Sequence, residues 1–148
     1  MQKQSIVLLQ NQDQSAGKTL PLPAGAKVYT MGLAQGAARV HWFEPLDGDS
    51  GPFGLIGPEG RPRPAHTALR TLTTHLGPQP RHLGWLQLAE RHHGFLFDGP
   101  RGLVLVAWSR PGTTAAVALP AGSRMVDPLS GAERAATSLP LNNLPALA

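Results

Sequence analysis

The chain of 148 residues contains no cysteine. That excludes a disulfide framework and thiolate chemistry, and it leaves the redox compartment unread. Aromatic residues are scarce, at 5%, so a core drawn from the 41% of hydrophobic residues must consist mostly of Leu, Val and Ala. Charge is sparse too, at 15%, so solubility falls to Gly, Ser, Thr, Asn and Gln. No long apolar run is present. Near the N-terminus, Ile6 to Leu9 is closed by Gln10, too short for the apolar region of a signal peptide or for a membrane span. A soluble, unexported chain without membrane contact is expected; the compartment cannot be read further.

Glycine and proline are abundant, at 17 and 15 residues, which favours short strands and many turns over long helices. The length suits one ordinary domain, or a small domain plus a fragment of another. A net charge of +4 and a pI near 10.4 raise the question of nucleic acid. The arginines answer it. Arg61 and Arg63 are close, but Arg70, Arg81, Arg91, Arg101, Arg110, Arg124 and Arg134 follow singly, whereas phosphate binding calls for cations on one face or along one helix. Solvated rims are expected, not a nucleic-acid surface.

Along the chain, "SIVLLQ" (Ser5 to Gln10) reads as a buried strand, and "NQDQSAGKTLPLPAG" as a loop. Val28 to Leu33 suits a strand or the end of a helix. Ala38 to Phe43 reads as a strand. "RPAHTALRTLTTHLGP" is the one clear helix: Ala65, Ala68, Leu69, Leu72 and Leu76 share a face, Pro64 suits the first turn, and Gly77 and Pro78 stop it. From His82 onward, short strand-like runs alternate with Gly, Pro and Asp turns. The last segment, "LPLNNLPALA", is expected to add an edge strand and then fray. The expected fold is mainly β: a small antiparallel β-sandwich with one α-helix and an orphan barrel-type β/α unit.

The stretches "YTMGLAQGAARVHWFE", "DGDSGPFGLIGPEGRPRPAHTALR", "LGWLQL", "GFLFDGPRGLVLVAW" and "VDPLSG" give Gly32 to Gly131 a resemblance to the C-terminal part of clan A glycoside hydrolases. These are retaining enzymes built on a (β/α)8 barrel. The resemblance implies that the segment ending in Trp-Phe-Glu is the eighth barrel strand, that the proline-rich segment leads into the eighth helix, and that the rest is an appended β-sandwich. The first thirty residues, "KQSIVLLQN…GKTLPLPAGAKVYTMG", resemble family 3 glycoside hydrolases, where Lys27 to Gly32 would be a strand. In the clan A reading the same residues finish the seventh helix. The implied organisation is 1–31 as a family 3-like strand–loop segment, 32–79 as a terminal β/α unit and 80–148 as the sandwich. That makes the chain a chimera or fragment; an ordinary N-terminal extension is the alternative.

Retaining hydrolysis needs two carboxyl groups roughly 5 Å apart. The resemblance puts them on the fourth and seventh strands, upstream of this chain's match, so neither carries over. What carries over is Trp42, the aromatic floor beneath a sugar, where an indole face suits the C–H face of a pyranose. A rebuilt site would draw on Glu44, Asp47, Asp49 and His41. The acidic three sit close together on a loop, where one carboxyl can raise another's pKa or oxygens can meet a hard cation. The plainer reading is a turn whose Asp side chains bond their own backbone. Ser50 has no His or Asp placed to activate it. His92 and His93, in an expected hairpin turn, point to opposite faces, and His66 and His75 sit on opposing sides of their helix. No metal site and no cofactor are expected. Trp85 and Trp108 read as sandwich core.

One strand and one helix cannot close a barrel, so a homo-oligomer is expected. Three functions follow, in order: a glycosidase-derived structural or weakly carbohydrate-binding β module without a complete catalytic site; a hydrolase rebuilt across subunits; and a basic protein binding acidic polymers.

Overall fold

The computed structural model describes residues 5–7, 22–42, 44–48, 51, 54–89, 92–110, 112–142 and 146–148. Among these the chain is mainly β, with two helices. Strand β1 (Ser5–Val7) runs parallel to β2 (Arg39–His41), pairing Ile6 with Val40, and helix α1 (Leu22–Ala34) makes the crossover between them. A parallel pair requires such a crossover, because two residues cannot turn a strand back beside itself in the same direction. Helix α2 (Pro64–Leu76) follows β2.

Several expectations change here. Leu22 to Gly25 open α1 instead of ending a loop; Pro23 fits a first turn, where its missing N–H costs nothing. Val28 to Leu33 is helical, so the family 3 strand over Lys27 to Gly32 does not form. Tyr29, Leu33 and Ala34 give the physical reason, since at helical spacing all three pack against the core. The expected boundary at 31/32 falls inside α1. The one expected helix becomes two, and the two expected strands pair in parallel. The expected loop over 11–21 lies outside the described residues.

Helix α2 follows its sequence pattern. Ala68, Leu72 and Leu76 are buried, and Gly77 caps the C-terminus at φ 77°, with its N–H donating to the Thr73 carbonyl.

A six-stranded sheet follows, in the order β3 (Arg81–Ala89), β4 (His92–Gly99), β5 (Gly102–Ser109), β10 (Ala146–Leu147), β7 (Arg124–Val126), β8 (Glu133–Ala135), antiparallel throughout. Both faces of β5 are covered. Val104, Val106 and Trp108 join Phe95, Phe97, Leu72 and Leu76 beneath the helices. On the other face Leu105 and Ala107 meet Leu139 and Leu141, from a second layer of β6 (Ala115–Ala118) and β9 (Ser138–Leu141). Burying Phe95 and Phe97 contributes about 1.5–3 kcal/mol each; they are 1% and 0% exposed.

The C-terminus does not fray. Leu147 is buried and β10 lies between β5 and β7, in the middle of the sheet. His92 and His93 belong to β4 instead of a turn. Trp108 is core as expected, whereas Trp85 is 52% exposed at the sheet's edge, its ring tilted 4.7 Å from Phe95.

Candidate functional site

Trp42 follows β2 directly and is half-buried. Its indole stacks on Tyr29 of α1, with ring centroids 6.4 Å apart and planes 23° apart. Burial pushes the Tyr29 hydroxyl above its ordinary pKa, and a hydrogen bond with the Trp42 backbone opposes that shift. His41, the last residue of β2, is exposed.

The acidic residues after β2 are separated by their partners. Asp47 accepts from Arg63 through both carboxylate oxygens, Oδ1 from Nη1 and Oδ2 from Nη2, each at 2.5 Å. It accepts from the Gly54 N–H as well, at 2.9 Å, while Arg63 Nη1 also donates to the Gly54 carbonyl at 2.7 Å. The Arg63 hydrogen bonds hold the Asp47 carboxyl below its ordinary range. A carboxylate engaged in this way is a poor proton donor and offers a cation little. Glu44 accepts from the Gly48 N–H at 3.0 Å. Asp49 and Ser50 lie outside the described residues. Among the described residues no three His, Asp or Glu side chains are grouped to hold a metal ion, and no described helix is long and apolar enough to cross a membrane.

A different polar cluster lies where α2 meets the sheet. Glu133 of β8 accepts from Arg101 Nη2 at 2.5 Å and from Arg124 Nε at 2.9 Å. Arg101 Nη2 also approaches His75 Nδ1 at 3.0 Å. Burial, helped by the Arg101 charge and opposed by Glu133, lowers the His75 pKa, so a neutral ring accepting from Arg101 is the favoured state. The Arg101 hydrogen bond holds Glu133 below its ordinary range, and Arg124 adds to it.

This cluster closes one end of an open groove of about 800 Å³ between the six-stranded sheet and β6, lined by Leu86, Leu96, Leu103, Leu105, Val117 and Leu119 among others. Leu103 is 65% exposed and Leu86 37%. No pattern in the sequence points to it. Its polar residues come from α2, the β4–β5 turn, β7 and β8, and no spacing rule joins positions 75, 101, 124 and 133. Of the arginines spaced singly along the chain, Arg81, Arg101 and Arg124 are paired with carboxylates.

Comparison of the chain with protein-family models and with curated proteins finds no match.

Proposed function

We propose that the chain is a glycosidase-derived β-sandwich module joined to the last part of a (β/α)8 barrel, with a structural or weakly carbohydrate-binding role and no complete glycosidase site. The observation that carries this reading is the order of elements: parallel β1 and β2 bridged by α1, then α2, then an antiparallel sheet covered on its far face by β6 and β9. In this reading β1 stands where the barrel strand before β2 would stand. The resemblance expects the nucleophile on that strand, and "SIVLLQ" contains no carboxyl group. Hydrolysis through two carboxylates therefore lacks its nucleophile. Asp47, bound to Arg63 on both oxygens, makes a poor substitute, which disfavours a rebuilt hydrolase.

Sugar contact falls to Trp42, half-buried just past the end of β2. Self-association belongs to the same reading, because among the described residues the parallel sheet has two strands, each with an outer edge.

The test combines catalysis and binding. Purified protein should leave a panel of aryl glycosides intact, with or without Glu44→Ala. Soluble oligosaccharides should shift tryptophan fluorescence weakly, with Kd of about 1 mM, and Trp42→Ala should abolish the shift while the circular dichroism is unchanged. Hydrolysis of one glycoside that disappears in Glu44→Ala would overturn the reading in favour of an enzyme.

A further inference from the structure

Sugar contact at Trp42 rests on one indole, and an indole grips a pyranose well only when its plane is held. A ring that turns freely must give up that freedom on binding, and part of the contact energy is lost with it. What holds Trp42 therefore belongs to the site. The parallel sheet stops short of it. Among the described residues the β1–β2 ladder ends at Val7↔His41, one residue before Trp42, and the chain beyond leads through a loop to α2.

Helix α1 supplies a hold. Tyr29 packs toward the core on the same helix face as Leu33, and it meets Trp42 in two ways. Its ring runs nearly parallel to the indole, with 23° between planes and 6.4 Å between centroids, a separation within the range of offset aromatic pairs. Its hydroxyl hydrogen-bonds with the Trp42 backbone. The ring contact sets the tilt of the indole, and the hydrogen bond sets the place of the main chain that carries it. Tyrosine suits this task, because its large rigid ring has only two torsions to fix. The helix is tied to the six-stranded sheet at a separate point. Lys27, two positions earlier in α1, places its ammonium 5.7 Å from the centroid of the Trp108 ring.

We propose that Tyr29 is the positioning residue of the sugar contact: it fixes the plane of the Trp42 indole against which the C–H face of a pyranose stacks. The role rests on the reading of Trp42 as a sugar floor, and the test below separates the two. Tyr29 acts through Trp42 and needs no contact with the sugar itself. Losing the ring should therefore disturb the indole before any ligand is present, and weaken binding as a consequence.

The three tryptophans, Trp42, Trp85 and Trp108, make fluorine NMR of the 5-fluorotryptophan-labelled protein a direct readout, with resonances assigned from single Trp→Phe variants. The probes are soluble cello-, xylo- and manno-oligosaccharides. In Tyr29→Leu the Trp42 resonance should shift or broaden without sugar, and Kd for the oligosaccharide that binds the parent should rise about fivefold. The Trp108 resonance should stay in place, because Lys27 keeps α1 seated. Tyr29→Phe, which retains the ring, should bring back both the Trp42 resonance and most of the affinity. Parental affinity in Tyr29→Leu would overturn the proposal. Movement of the Trp42 and Trp108 resonances together would overturn it as well, since Tyr29 would then support α1 as a whole. If no oligosaccharide moves the Trp42 resonance of the parent, the sugar reading of Trp42 falls and the role of Tyr29 with it. That failure shows in the parent, whereas failure of the positioning role alone shows only in the variants.

Discussion

Asp47 accepts hydrogen bonds from one guanidinium, that of Arg63, on both of its carboxylate oxygens. Its neighbours Glu44 and Asp49 suggest a carboxylate cluster, yet its real partner, Arg63, lies sixteen positions downstream. The pair closes the loop between β2 and α2, together with the Arg63 N–H donating to the Leu55 carbonyl at 2.9 Å. Both side chains are largely withdrawn from water, at 22% and 17% exposure, so the bidentate bond is shielded better than a surface ion pair. Gly54 adds a close fit: a Cβ there would stand 2.5 Å from the Leu46 carbonyl carbon. Arg63→Ala should free the segment between Glu44 and Arg63 without unfolding the sheet. Limited proteolysis should then cut within that segment about tenfold faster, while the main thermal transition moves little, since local opening and global unfolding have separate free energies. A transition that collapses along with the loop would show that this bridge supports the core as well.

At the scale of elements, legibility followed the strength of the local signal. Helix α2 could be read because Pro64, an apolar stripe and Gly77 all agree. The β4–β5 hairpin could be read because the unbroken apolar run from Val104 to Trp108 matches a strand buried on both faces. Helix α1 could not: Gly25 and Gly32 interrupt it, it has no acidic residue in its first turn, and packing of Tyr29 and Leu33 decides its form where propensity does not. Strand β10 is two residues long, and its place depends on partners far off in sequence. The groove was invisible for the same reason. Close packing between elements also sets limits that no pattern announces. A Cβ at Gly99 would collide with the His75 carbonyl oxygen and lie 2.9 Å from Val104 Cγ2, whereas one at Gly84 meets nothing within 4 Å. Gly99→Ala should therefore push α2 away from the β4–β5 hairpin and cost about 1–3 kcal/mol. Gly84→Ala should stay within about 0.5 kcal/mol of the parent. Denaturant unfolding of the two variants side by side separates a packing limit from a general intolerance of alanine in the sheet.

For the whole molecule, His75 and the carboxylates with perturbed titration combine into one acid response. His75 has its pKa lowered from 6.5, mainly by burial. A base that binds protons less readily when folded stabilises the fold above its unfolded value, and that contribution is lost as pH falls through the folded one. Glu133 is lowered from 4.5, mainly by Arg101. Asp47 is lowered from 3.8 by Arg63, and Asp127 from the same value by the backbone N–H groups of Ser130 and Leu129. Depressed carboxylates act in the same sense, over a lower range of pH. Melting temperature should thus be flat between about pH 7 and about pH 9, fall first as pH drops below 6.5, and fall again below 4.5. His75→Gln should remove the first decline and leave the second, because a glutamine in its place keeps an oxygen for Arg101 but takes up no proton. The two stages differ in reach. The first concerns His75 alone, at the seam between α2 and the sheet, whereas the second takes in Glu133 at the same seam, Asp47 in the β2–α2 loop and Asp127 in the turn after β7. Melting curves of the parent and His75→Gln across this range therefore decide whether the seam between α2 and the sheet is the first part to yield to acid. A first decline that survives the substitution would move that weakness elsewhere.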